Sequence, residues 1–254
     1  MRTALLAMLI SVACAPQRPV PEAAPESTWR DYESRDEVRL KVVDSLMDQG
    51  NIAGAQAILA DIRSEGTSTP ELDYLQGRSL YLQNMYAEAE ELLTLAAGKM
   101  RKDPRPYATL GLLYADSQRV DEAVQALRLS LDIDEAQAET WNNLGFVLHA
   151  SGSHDDAVDA LREAIRLDGT IARYRNNLGF ALHASGRPAD ALQAFQTTGT
   201  PADAHTNMAI AWEVQGDDAR ARDEYMMALS SNPVHRPAKE GLGRLDATPA
   251  GDIP

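Results

Sequence analysis

Histidines and carboxylates are the residue types in this chain whose spacing could support catalysis or metal binding. His149 and His183 stand 34 residues apart in similar local sequences, but no further ligand shares that spacing, and a metal site needs several ligands in defined geometry. Adjacent carboxylates such as Asp155 and Asp156 stand in the first turns of predicted helices, where negative charge complements the helix dipole. The sequence contains no phosphate-binding loop, dinucleotide fingerprint or nucleophile elbow. We therefore expect no enzymatic activity, no metal and no cofactor.

Recurring asparagines are the second chemical feature of the chain. Asn143, Asn177 and Asn207 occupy equivalent places in three similar segments, and Phe146 and Phe180 follow the first two by three residues. An asparagine amide offers both a donor and an acceptor, so a row of them can pair with the backbone of an extended peptide. The phenylalanines would add apolar contacts. The alternative is that asparagine recurs here only because it is common in the consensus of such segments.

The segments that hold these residues repeat every 34 residues. Residues 142–152 and 176–186 nearly copy one another, each with Asn-Asn-Leu-Gly-Phe followed by Leu-His-Ala-Ser-Gly. Gly111, Gly145 and Gly179 fall at the same position of the period, each after a leucine. A fixed period in this range indicates a solenoid of stacked units rather than a globular catalytic domain.

Each unit has the pattern of two short amphipathic helices. Within residues 138–171, Trp141 and Leu144 are three residues apart and share one face of the first predicted helix. Gly152 suits the left-handed C-cap that ends this helix. Leu161 and the alanines around it form the inner face of the second helix. The pattern predicts an all-α chain.

The order of aromatic residue, Leu-Gly, aromatic residue or leucine, and spaced alanines resembles the tetratricopeptide repeat. That resemblance implies a right-handed all-α solenoid over residues 29–245, with a short capping helix at 237–245. Its helix-turn-helix repeats can be marked at 36–69, 70–103, 104–137, 138–171, 172–201 and 202–235. The 172–201 unit is four residues short, and its Thr-Thr-Gly-Thr-Pro end disfavours helix. We expect a local change of superhelical pitch there.

The resemblance also implies a role for the recurring asparagines and phenylalanines. In tetratricopeptide proteins, the corresponding face of the first helices lines a concave groove that holds a peptide. The five residues named above are therefore expected in this groove. Arg173 and Arg175, in the same region of the 172–201 unit, could anchor a carboxylate of the bound segment.

The N-terminus carries a targeting signal ahead of the repeats. A positive Met1-Arg2 precedes an apolar segment over 3–13 that is too short to span a bilayer, which predicts a signal peptide over 1–13. The sequence from Ser11 to Cys14 resembles a bacterial lipobox, although leucine would be usual in place of the serine. Cys14 is the only cysteine in the chain, and we expect it to be lipidated. The alternatives are a plain secreted protein and a protein that keeps the segment as an uncleaved anchor or stays in the cytoplasm.

A proline-rich tether over residues 14–28 follows the predicted lipidation site. Its four prolines, within residues 16–25, predict an extended, semi-rigid segment. Ala15 stands where an aspartate would resemble an inner-membrane retention signal, which favours the outer membrane with the repeats facing the periplasm. Residues 246–254, beyond the capping helix, are expected to be disordered.

The charge of the chain limits the partners that it can bind. The formal net charge is −14, from 38 acidic and 24 basic residues. Nucleic-acid binding needs clusters of lysine and arginine, and broad attraction to anionic lipid needs positive charge as well. We therefore expect a protein partner, no nucleic acid, and membrane attachment only through the lipid on Cys14.

The complete plan of lipobox, tether and six repeats resembles the tetratricopeptide lipoproteins of pilus systems. These are the pilotins that help secretins assemble in the outer membrane, and the assembly lipoproteins of Flp-type pili. The resemblance implies a non-enzymatic scaffold whose partner is a secretin or another pilus-assembly component. Two alternatives stay open: an adaptor for peptidoglycan hydrolases or synthases, and an enzyme accessory or noncanonical hydrolase.

Substitution of Cys14 tests the lipoprotein prediction. Cys14→Ser should abolish both membrane fractionation and acyl labelling, because stable anchoring needs the acyl chains that only the cysteine can carry. Cell fractionation and metabolic labelling with palmitate measure the two effects, and Ala15→Ser serves as the control that keeps the cysteine. Unchanged membrane retention of Cys14→Ser would rule out lipid anchoring.

Overall fold

The computed structural model describes residues 34–247, which form thirteen α-helices and no strand. The helices are α1 (Arg35–Asp48), α2 (Ile52–Ser64), α3 (Pro70–Tyr81), α4 (Tyr86–Lys99), α5 (Arg105–Asp116), α6 (Val120–Ile133), α7 (Ala138–Ala150), α8 (His154–Leu167), α9 (Ala172–Ala184), α10 (Pro188–Gln196), α11 (Pro201–Val214), α12 (Asp218–Ser231) and α13 (Arg236–Ala247). None of these thirteen helices is long and apolar enough to cross a lipid bilayer. The predicted signal peptide, Cys14 and the tether lie outside the described residues.

Tight turns of constant geometry join the two helices of each pair. In all six pairs one turn residue adopts a left-handed backbone conformation, and these residues are Gly50, Asn84, Gln118, Gly152, Gly186 and Gly216. Glycine reaches this conformation without a steric clash, which explains its use at four of the positions. Asn84 and Gln118, with φ of 61° and 60°, keep the same geometry without glycine. The turn is therefore a property of the packed helix pair, and glycine only makes it easier to form.

A glycine in the first helix lets the second helix of the pair approach closely. A methyl group built on Gly145 of α7 would lie 2.5 Å from Cγ of Leu161 in α8. Carbon atoms in favourable contact are about 3.5–4.0 Å apart, so no side chain fits at this position. The same relation joins Gly77 to Leu93, Gly111 to Leu127 and Gly179 to Phe195. The large residue of each couple is completely buried as a result.

Successive pairs stack on one another to form a continuous array. Each described helix contacts only helices that are adjacent or next but one along the chain. Fully buried alanines, such as Ala157 in α8 and Ala191 in α10, allow these contacts to be close. Helix α10 has only nine residues, and Thr200 begins α11 through a capping box with Asp203. The 172–201 unit therefore lacks the last turn that the second helices of the other units have.

The all-α solenoid of paired helices predicted from the repeat period is confirmed by this architecture. Both predicted boundaries of the capping helix differ slightly, because α13 spans Arg236–Ala247 and the prediction was 237–245. Leu245 is buried against the preceding pair, and Asp246 forms an ion pair with Arg222 of α12. These contacts hold the last turn in helical form, so residues 246 and 247 do not belong to a disordered tail.

Substitution of glycine tests the close approach of the paired helices. Gly145→Ala should lower the free energy of unfolding by about 1–3 kcal/mol, because the new methyl group overpacks against Leu161. Gly98→Ala is the matched control: it lies inside α4, where a methyl group would contact nothing within 4 Å. There the better helix propensity of alanine should raise stability by up to about 1 kcal/mol. Urea unfolding monitored by circular dichroism measures the free energy of unfolding of both variants. Changes of the same sign in the two variants would contradict the proposed role of Gly145 in helix approach.

Candidate functional site

An apolar row follows the first helices of the last four units. Leu112, Phe146, Phe180 and Ile210 occupy equivalent positions in α5, α7, α9 and α11. Phe146 is 56% exposed, and the other three are half-buried. The equivalent residues of α1 and α3 are charged instead, and Arg78 of α3 forms an ion pair with Asp44 of α1. The apolar part of this face is thus confined to the C-terminal two thirds of the array.

A cavity of about 170 Å³ opens beside this row between α7 and α9, and we call it the α7–α9 pocket. Its lining residues are Phe146, His149, Leu161, Asn177 and Phe180. The Phe180 ring packs edge-on against Phe195 of α10, with ring centroids 5.0 Å apart, so this wall is held by the core. Small-molecule pockets measure about 300–1,000 Å³, so this smaller space suits one side chain of a bound segment. Three of the residues predicted to line a peptide groove meet here.

Two of the three predicted asparagines, Asn177 and Asn207, form hydrogen bonds between adjacent units. Nδ2 of Asn177 donates to Oδ1 of Asn142 at 2.8 Å, and the side chain of Asn142 is buried. Nδ2 of Asn142 in turn donates to Oδ1 of Asn143 at 3.3 Å, and Nδ2 of Asn207 reaches Oδ1 of Asn176 at 3.5 Å. Each amide can form further hydrogen bonds beyond these. Asn177 and Asn207 therefore join neighbouring units and keep some hydrogen-bonding capacity for a ligand. Asn143 and Asn207 are not among the residues that line the α7–α9 pocket.

Arg173 is engaged by a carboxylate of the preceding unit. Its Nη2 lies 2.5 Å from Oε2 of Glu139 in α7, and its guanidinium lies over the Tyr174 ring at 5.7 Å. The Tyr174 hydroxyl donates to the same Glu139 carboxylate at 2.9 Å. A carboxylate of a bound segment would therefore have to displace Glu139 before Arg173 could anchor it.

The two equivalent histidines have different surroundings in the structure. His149 packs against the His154 ring, with centroids 5.1 Å apart, whereas His183 is buried edge-on against Trp212 at 4.1 Å. Burial lowers the pKa of both histidines, and the charges of His154 and Arg220 lower the pKa of His149 and His183 respectively. Within residues 34–247, no three His, Cys, Asp or Glu side chains are grouped as a metal site requires.

Sequence reasoning missed the polar links between units and the place of His149 in the pocket. Asn142 and Asn177 are separated by 35 residues, and Glu139 and Arg173 by 34. Complementary side chains one period apart are therefore the signal that could have found these links. The place of His149 in the pocket does not follow from its own segment, because three of the four other lining residues, Leu161, Asn177 and Phe180, come from α8 and α9.

Stacked helix pairs with a partly apolar first-helix face define the class of helical-repeat solenoids. Three sequence models of the tetratricopeptide repeat match residues 40–106, 104–137 and 136–198, together more than half of the 254 residues. The chain belongs to the tetratricopeptide repeat family, as its sequence pattern indicated. No curated protein matches the sequence.

Solved structures share this fold at low sequence identity. Pseudomonas aeruginosa PilF is 16% identical, with a TM-score of 0.62 over 84% of this chain and 100% of its own. YrrB, described as a tetratricopeptide protein with an unusual peptide-binding site, is 20% identical, with a TM-score of 0.57 over 73% and 97%. The APC/C hetero-tetramer Cut9–Hcn1 is 19% identical, with a TM-score of 0.59 over 82% of this chain. The match spans only 42% of that last chain. At these identities the likeness concerns the fold alone.

Acidification tests the environment of the two histidines. Because the pKa of each is lowered in the folded chain, the unfolded chain binds protons more readily, and stability is lost as pH falls below about 6.5. Replacing His149 and His183 together by glutamine should flatten the fall in melting temperature between about pH 7.5 and pH 5.5. Thermal melts of both proteins across this range measure the effect. An equally steep fall in the double variant would contradict the assigned environment.

Proposed function

We propose that this protein is a non-enzymatic scaffold that holds an extended segment of another protein along α5, α7, α9 and α11. The observation that carries the proposal is the apolar row beside the α7–α9 pocket, with Phe146 left 56% exposed. Exposed aromatic side chains next to a shaped cavity are typical anchors of protein interfaces. A solenoid adds a long continuous surface on which a segment can lie.

The bound segment would make two kinds of contact. One apolar side chain enters the α7–α9 pocket and packs against Phe146 and Phe180, while the segment's backbone pairs with the free hydrogen-bonding capacity of the asparagine amides. Asn177 is already oriented by its bond to Asn142. The Asn177 side chain therefore loses less conformational entropy when the segment binds than an unrestrained asparagine would.

The scaffold would work at a membrane surface, anchored in the outer membrane through lipid on Cys14 and facing the periplasm. The lipobox-like sequence and the proline-rich segment after it support this location. The partner would be a secretin or another pilus-assembly component. Support for the partner comes from the overall plan of the chain and from the fold that it has in common with PilF, and the peptide-binding site described for YrrB supports capture of a peptide segment.

Capture of the partner can be tested at Phe146. The full chain with an affinity tag is used to recover bound proteins from solubilised membranes of cells that contain pilus secretins. Phe146→Ala should reduce the secretin recovered by about tenfold or more, because an exposed aromatic anchor is removed. Quantitative mass spectrometry measures recovery, and thermal melting should stay nearly unchanged.

Leu129→Ala is the matched control, since Leu129 is also partly exposed, at 43%, but lies on the second helix α6 away from the row. If Phe146→Ala and Leu129→Ala recover equal amounts of secretin, the proposal that the apolar row binds the partner is refuted. Asn177→Ala is a weaker test, because it also removes the hydrogen bond to buried Asn142 and so changes stability.

A further inference from the structure

Arg175 of α9 differs from the residues at the equivalent position of the other five units. Each of those five has a polar partner: Arg39 pairs with Asp61 and Glu65, Asp73 with Lys99, Tyr107 with the Ala97 carbonyl, Trp141 with the Glu135 carbonyl, and His205 with Glu224. Arg175 is half-buried, yet its guanidinium forms no hydrogen bond or ion pair with any residue of 34–247. A partly buried charge without a partner is unfavourable, so its retention needs an explanation.

The shortened 172–201 unit explains why Arg175 has no partner. Arg39 is the direct comparison, because it is an arginine at the same position and binds carboxylates 22 and 26 residues further along the chain. The residues at these separations from Arg175 are Thr197 and Pro201. Helix α10 ends at Gln196, before the first of them. Because α10 lacks this last turn, no residue of the unit holds a carboxylate where it could reach Arg175.

Arg175 lines an open cleft of about 390 Å³ between α8, α9 and α10. Arg162 and Arg187 also border the cleft, and Asp190 is the one carboxylate among its lining residues. Asp190 is bound to Arg187 at 2.6 Å, and Arg162 reaches only Asp159, at 3.6 Å. The cleft therefore carries a positive charge in a chain whose net charge is −14. Ile165 and Leu178 add apolar surface to it.

This cleft is separate from the α7–α9 pocket. An α-helix turns by about 100° per residue, so residues three, four or seven apart share a face. Arg175 and Leu178 lie on one face of α9, whereas Asn177 and Phe180, which line the pocket, lie on the opposite face. A ligand in the cleft would leave the apolar row free.

We propose that the cleft binds an acidic segment of a partner protein, with a carboxylate against Arg175 and a neighbouring apolar side chain against Ile165 and Leu178. The planar guanidinium matches a carboxylate in two parallel hydrogen bonds. Arg39 shows that an arginine at this position of the unit can donate hydrogen bonds to carboxylates. The apolar wall favours a peptide over a small inorganic anion, and the net charge of the chain opposes nucleic acid. The site is independent of the proposed function of the apolar row.

A pair of labelled peptides tests the proposal with the full chain. The peptide Glu-Leu-Glu-Asp-Leu-Glu-amide, with fluorescein on its N-terminal amine, should bind in a fluorescence anisotropy titration at low ionic strength. Its neutral counterpart, with glutamine and asparagine in place of the acids, should not bind. Arg175→Gln should weaken binding of the acidic peptide by about tenfold or more, because the charge-assisted hydrogen bonds are lost. Arg166→Gln is the matched control, since Arg166 is exposed on α8, pairs with Glu163 and lies outside the cleft.

Two further measurements separate a binding role from a structural one. Arg175→Tyr, which introduces the residue type of Tyr107, should abolish peptide binding without lowering the melting temperature, whereas Phe146→Ala should leave peptide binding unchanged. The proposal is overturned if Arg175→Gln binds as tightly as Arg166→Gln, or if the neutral peptide binds equally well. It is also overturned if Arg175→Tyr melts well below the unaltered chain, or if inorganic sulfate binds the cleft as tightly as the peptide does.

Discussion

The close approach of the two helices in the four pairs from α3–α4 to α9–α10 is the constraint on which the rest of the structure depends. Where Gly145 and Gly179 stand in α7 and α9, the side chains of Leu161 and Phe195 fill the space that a Cβ would need. This contact fixes the distance and orientation of the second helix, and the first helix of the next unit packs on the surface so formed. The equivalent residues of successive first helices therefore come into line, and the apolar row is a result of that alignment. In the first and last pairs, buried Val43 and buried Ala209 take the place of glycine.

Polar links between units add orientation to this apolar packing. The amide bond from Asn177 to Asn142 and the ion pair of Arg173 with Glu139 both join residues about one period apart. An internal hydrogen bond contributes about 0.5–1.5 kcal/mol, and an exposed ion pair about 0–1 kcal/mol. Such links are too weak to determine the stacking alone, but they hold particular side chains in one rotamer. Asn177 is the case that matters for function, because its oriented amide lies in the wall of the α7–α9 pocket.

The repeat period was sufficient to predict the all-α solenoid. It also gives Phe146 and Phe180 equivalent positions in two adjacent units, and in the structure both line one pocket with Asn177. The period could not show that Glu139 forms an ion pair with Arg173, because that contact depends on the rotamers of two side chains in different units. The length of α13 was underestimated for a similar reason. Its glycines lower helix propensity, but Gly241 lies against the ring of Tyr225, and packing there outweighs propensity. Local preferences were thus overridden wherever a neighbouring unit supplied a specific contact.

Contacts in residues 34–247 never extend beyond the next helix but one, and this has a mechanical consequence. No contact ties one end of the array to the other, so its curvature is the sum of small rotations at successive interfaces. A slight change in the rotation at each interface adds up to a large change in the curvature of the surface that the first helices form. No single contact has to be lost for this change. The array therefore behaves as an elastic spring, in which every interface between units contributes to the compliance.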